Sequence, residues 1–79
     1  MRYYSTQRPV GPGTYPKPDP NDPKWVGISV SEIHNFDRRE IVLEIGRTAW
    51  GWIEYTGKIP EKDVRDYELV PEANKMTGI

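Results

Sequence analysis

Six of the eight prolines lie between Pro9 and Pro23, in PVGPGTYPKPDPNDP. Each one removes a backbone donor and biases the residue before it toward extended geometry, so neither a helix nor a central strand fits this stretch. What remains is extended or polyproline-like chain with a tight turn at Pro12-Gly13. A 79-residue chain has little apolar surface to spare, because a domain of this size buries only about 60–65% of what its unfolded form exposes. The proline-rich stretch is therefore expected to contribute Val10 and Tyr15 to the core and to lie across it as a strap.

The rest of the chain is organised around residues 33–55, IHNFDRREIVLEIGRTAWGWIEY. Asp37 followed by Glu40 matches a capping box, and Phe36 with Ile41 matches the accompanying hydrophobic staple. These signals predict a helix of about two turns through REIVLEI, ended by Gly46 in a left-handed conformation. Such a helix persists only by packing Ile41, Val42 and Ile45 onto a sheet, with Leu43 widening the apolar face. Before it, the alternation of Val26, Ile28 and Val30 predicts a strand within 25–36. After it, AWGWIEY reads as a central strand with Ala49, Gly51, Ile53 and Tyr55 on one face and Trp50, Trp52 and Glu54 on the other. RYYSTQR predicts a short first strand ended by Pro9. Pro60 suits the first turn of a second short helix, PEKDVRD, and Tyr67–Val70 a last strand. The expected fold is α+β: a small, mainly antiparallel sheet with two short helices on one face and a proline-rich N-terminal strap. It forms a single domain, with the strap over 1–24, a compact core over 25–71 and a frayed tail over 72–79.

No cysteine is present, so disulfides and thiolate metal sites are excluded. No apolar run approaches the ~20 residues of a membrane span, and no signal-peptide core follows Met1, so a cytoplasmic protein without membrane contact is expected. The net charge of −1 is unevenly spread. Residues 1–18 carry +3 from Arg2, Arg8 and Lys17, while residues 60–72 carry −3.

Few residues offer chemistry. The one histidine, His34, lies beside Asn35 and Asp37, but it reads as a strand-end residue that caps a turn, not as a general base. His34, Asp37 and Glu32 match no metal-ligand spacing. Gly11-Pro12-Gly13-Thr14 lacks the lysine and the following helix of a phosphate loop. No catalytic, metal or cofactor residues are assigned, and the reading is non-enzymatic. The N-terminal block Arg2, Tyr3, Tyr4, Gln7, Arg8 and Tyr15 interleaves basic and aromatic side chains, as single-strand nucleic-acid binders do. The acidic overall balance weighs against that use. Trp50 and Trp52 are core for at least one of the pair; exposed, they would form an aromatic patch for a protein partner.

The opening RYYSTQRPVGPGTYPKP, the central IHNFD, the block EIGRTAWGWIEY and the closing YELVP together resemble the small proteins of phages and conjugative elements related to DarA, a defence-against-restriction protein. The match covers most of the chain apart from the tail. One local departure is Pro60, where relatives carry a Ser or Thr helix cap. The resemblance implies a counter-defence role that protects incoming DNA, and it brings no catalytic residues. Its implied partners are a host defence protein or another element-encoded protein. The contact surface is then expected on Arg2, Tyr3, Tyr4, Gln7, Arg8, Tyr15, Trp50 and Trp52, with single-stranded nucleic-acid binding by the same arm as the alternative.

Overall fold

A computed structural model describes residues 1–72 of the chain. Of the tail expected to fray over 72–79, residues 73–79 lie outside the described ones, while Glu72 is held, its N–H donating to the Arg2 carbonyl at 2.9 Å. Four antiparallel strands form one sheet: β1 (Arg2–Ser5), β2 (Val30–Val42), β3 (Arg47–Tyr55) and β4 (Leu69–Pro71), in the spatial order β2-β3-β1-β4. One α-helix, α1 (Glu61–Asp66), links β3 to β4, and a single 3-10 turn, Pro23–Trp25, precedes β2. The α+β class holds, with one α-helix among the described residues where the sequence predicts two.

The missing helix is the central one. Asp37, Glu40 and Ile41 lie inside β2, a 13-residue strand paired with β3 through Glu32↔Glu54, Ile33↔Ile53, His34↔Trp52 and Asn35↔Gly51, then Glu40↔Ala49, Ile41↔Thr48 and Val42↔Arg47. Gly46 does take a left-handed φ of 69°, but it closes a hairpin turn instead of a helix. Its N–H donates to the Val42 carbonyl at 3.0 Å. One backbone requirement serves both motifs, so the same glycine suits a helix end and this hairpin turn alike. A two-turn helix gains few hydrogen bonds for its nucleation cost, whereas the hairpin joins a ladder whose central strand is already fixed.

β3 alternates as its sequence predicts, with Ala49, Gly51, Ile53 and Tyr55 buried and the residues between them half-buried. Apolar side chains gather in two clusters. Tyr3, Val10, Trp25, Ile53, Tyr55, Ile59 and Leu69 make the larger, and the rings of Tyr3 and Tyr55 meet edge-on at 5.7 Å. Tyr4, Val42 and Ala49 make the smaller, with Phe36, Ile45 and Trp52 packed against it.

Residues 6–29 contain no strand, so side chains satisfy much of their backbone. The Asn35 amide clasps Val10, accepting from its N–H and donating to its carbonyl, both at 2.8 Å. The Tyr55 hydroxyl donates to the Pro16 carbonyl at 2.7 Å, and the Trp25 indole N–H donates to Asp63 at 3.2 Å. At Pro12-Gly13, Gly13 has a φ of 80° and the Thr14 N–H donates to the Gly11 carbonyl at 3.0 Å, the tight turn expected there.

Between Asn35 and Glu40 the register shifts, so that residues 36–39 of β2 face only Trp50 on β3. Just before this bulge the backbones press together. A Cβ on Gly51 would stand 2.3 Å from the His34 carbonyl oxygen and 2.9 Å from the Asn35 side-chain oxygen. Gly51→Ala is expected to cost about 3 kcal/mol in urea-monitored unfolding, at the upper end of overpacking penalties. Asp37→Ala is expected to change stability by less than ~0.5 kcal/mol, as at an exposed strand position. A helix cap at Asp37 would instead cost about 1 kcal/mol.

Candidate interaction surface

The eight residues singled out in the sequence do not form one patch. Alternation along β1 sends Tyr3 into the larger cluster and Tyr4 into the smaller, and both are buried. The Tyr3 hydroxyl accepts the Ile59 N–H at 3.1 Å. The Tyr4 hydroxyl donates to the Glu44 carboxylate at 2.5 Å, tying β1 to the β2–β3 turn. Burial raises the pKa of both phenols, and the Glu44 carboxylate adds to the effect at Tyr4. Burial likewise pushes the Tyr55 phenol well above its ordinary value. Tyr15 is half-buried against the larger cluster. Gln7 and Arg8 are exposed just after β1, where Arg8 pairs with Glu68 at 2.7 Å.

Arg2 and Trp52 do come together. The Arg2 guanidinium lies over the Trp52 ring at 3.8 Å, a cation–π contact. His34, opposite Trp52 in the register, stacks on the same indole with ring centres 5.3 Å apart. Phe36 meets His34 edge-on at 5.4 Å. A ladder Arg2–Trp52–His34–Phe36 thus crosses three strands on the sheet face opposite Tyr3 and Ile53. His34 sits within β2, not at a strand end capping a turn as the sequence suggested, because β2 continues past it. Among the described residues no group of three or more His, Cys, Asp or Glu side chains is arranged to hold a metal ion. No described helix is long and apolar enough to cross a membrane.

The surface that sequence reasoning missed is the far end of the β2–β3 hairpin. Its inner side, Val42 and Ile45, packs toward Tyr4. Its outer side leaves Ile41 71% and Leu43 89% exposed. Trp50, half-buried, lies close by: Arg39 donates to the Thr48 hydroxyl at 2.8 Å and holds its guanidinium 6.0 Å from the Trp50 ring, while Thr48 pairs with Ile41. Assigning Ile41 and Leu43 to a packed helix hid them. The alternation Arg39, Ile41, Leu43 was the signal available.

The chain matches the family model described as "Defence against restriction A C-terminal" over residues 1–74, and it belongs to that family. No curated protein and no solved structure matches it.

Behind the ladder, Glu54 joins β3 to the start of β1. Its carboxylate pairs with the amino terminus at 3.0 Å and with Arg2 at 3.2 Å. The hydrogen bond from the amino terminus, and then Arg2, hold its pKa below the ordinary carboxylate value, against the opposing effect of burial. A depressed folded pKa contributes stability above the unfolded value, and that contribution disappears as pH falls through the folded one. Glu54→Gln is therefore expected to be less stable than the parent near neutral pH. The gap should close below about pH 4, the ordinary carboxylate range, in urea titrations at stepped pH. A gap that widens toward acid would contradict this.

Proposed function

We propose that the chain is a non-catalytic binding module of a mobile genetic element. In this reading it counters host defence by contacting a protein, either a component of the host system or another element-encoded protein. Membership of a defence-against-restriction family supports the theme. The observation that carries the protein-contact reading is the pair Ile41 and Leu43, large aliphatic side chains left 71% and 89% exposed at the hairpin end. Exposed large apolar groups, with Ile41 set on the strand that also carries Arg39 toward Trp50, are the makings of an interface core. The proline-rich segment acts in this reading as a strap that stiffens the scaffold behind the hairpin. Single-strand binding by the N-terminal arm is disfavoured because Tyr3 and Tyr4, the side chains that would stack on bases, are buried.

DNA transfer into a restricting host that expresses the chain tests the reading. The parent is expected to raise transfer, and the double variant Ile41→Asp with Leu43→Asp to abolish the gain. Its thermal midpoint should hold, because surface changes of this kind stay within about 0.5 kcal/mol. If that variant protects as well as the parent while Arg8→Ala with Tyr15→Ala does not, the contact lies on the N-terminal arm. Protection that falls steeply in step with salt-sensitive DNA binding would favour the nucleic-acid alternative.

A further inference from the structure

The two outer strands of the sheet are unlike. β4 is three residues long and ends in Pro71, which has no N–H to offer. β2 is 13 residues long and neighbours only β3, and residues 31–35 are all exposed. The direction of its backbone groups follows from β3. The Tyr55 N–H donates to the Met1 carbonyl at 2.8 Å, and the Tyr55 carbonyl accepts from the amino terminus at 2.5 Å, so both groups face the start of β1. Pairing of β3 with β1 continues from there to Gly51 without a shift. By alternation the polar groups of Glu54 and Trp52 face β2, onto Glu32 and His34. The N–H and C=O of Ile33 and Asn35 therefore point away from the sheet, and among the described residues nothing bonds to them.

An open row of backbone donors and acceptors is a template for another strand. We infer that this edge pairs with the same edge of a second copy of the chain, antiparallel about a two-fold axis at His34. In that register Ile33 of each copy meets Asn35 of the other, and every outward N–H finds an outward carbonyl. A register centred on Ile33 would draw on Ser31, where pairing with β3 is irregular, and one centred on Asn35 would set Ile33 against Asp37 in the bulge. The ladder names the occupant. It reaches the sheet edge at His34, whose exposed ring already stacks on Trp52. The two-fold axis sets His34 of the second copy directly opposite, at the closely spaced position where cross-strand rings pack. Arg2–Trp52–His34 then continues into the second copy in reverse order. Glu32 meets Phe36 of the second copy, so no like charges are opposed. The bulge at 36–39 ends the pairing, and β4 offers no comparable edge, so the assembly closes at two copies. Ile41 and Leu43 lie beyond the bulge and take no part.

Sedimentation equilibrium and amide solvent exchange on the full chain test the inference, at pH 8, where imidazoles are ordinarily uncharged. So small a contact belongs to the weak class. The dimer is therefore expected to fill as the chain is raised from about 0.01 to about 1 mM. Exchange at Ile33 and Asn35 should slow about twofold or more between roughly 0.1 and 1 mM, with Ile41 and Leu43 unchanged. Ile33→Pro deletes an outward donor that the single chain does not use and should stay monomeric throughout. His34→Glu sets two carboxylates opposite each other and should weaken association roughly tenfold. A parent chain that remains monomeric at about 1 mM overturns the inference. So does association that leaves the Ile33 and Asn35 amides unprotected, or that Ile33→Pro retains in full. Protection confined to Ile41 and Leu43 also overturns it and assigns the contact to the hairpin end.

Discussion

The sheet turns on one point of backbone-to-backbone contact. At Gly51 on β3 there is no room for even a methyl group beside the His34 carbonyl. That closeness lets β2 run tight against the central strand as far as Asn35 before the four-residue bulge opens at 36–39. The Asn35 side chain, freed from any cross-strand partner larger than hydrogen, turns to clasp both polar groups of Val10. A single small residue thus sets the path of β2 and the anchorage of the proline-rich segment together. Bulges of this kind bend an edge strand and interrupt its pairing surface, which guards a long exposed edge against joining another sheet.

Beyond the bulge the hairpin has two unlike sides. Val42 and Ile45 reach inward to Tyr4, whose hydroxyl is held by Glu44 from the turn itself. That inward packing fixes the outward direction of Ile41 and Leu43. Exposure of these two is therefore a consequence of how the hairpin is held, not of a loosely placed loop. The same economy runs through the N-terminal strand, where Tyr3 and Tyr4 serve opposite faces and both are consumed by structure. Small domains have few large side chains to spare, so those left outside carry most of what can be recognised by a partner.

Much of this was legible in the residues. The proline density excluded an α-helix or strand over 9–23, and the alternation in RTAWGWIEY marked the central strand and set Ile53 and Tyr55 apart from Trp52, although Ala49 packs with Tyr4 and Trp52 and not with Ile53. Pro60 and the acidic residues after it marked α1, which begins at Glu61 with Pro60 just before it and no side-chain cap. The segment 37–45 was not legible, because its local signals fit two structures. Asp37 with Glu40 and the glycine at 46 satisfy a helix, while Ile33, Ile41 and Val42 satisfy a strand. Pairing with β3, distant information for any local rule, decided between them. The candidate surface suffered from the same ambiguity, since the side chains that a helix would bury are the ones the hairpin exposes. Tyr3 and Tyr4 looked like an arm only because composition cannot reveal that β1 lies between β3 and β4.

Assigned nuclear Overhauser spectra of residues 30–50 test the hairpin most directly. Cross-strand contacts between Glu40 and Ala49, and between Ile41 and Thr48, are expected, together with extended-strand shifts on both sides of the bulge. A run of sequential amide–amide contacts from Asp37 to Ile45, with Ile41 and Leu43 touching the sheet, would contradict the fold and remove the surface built on it.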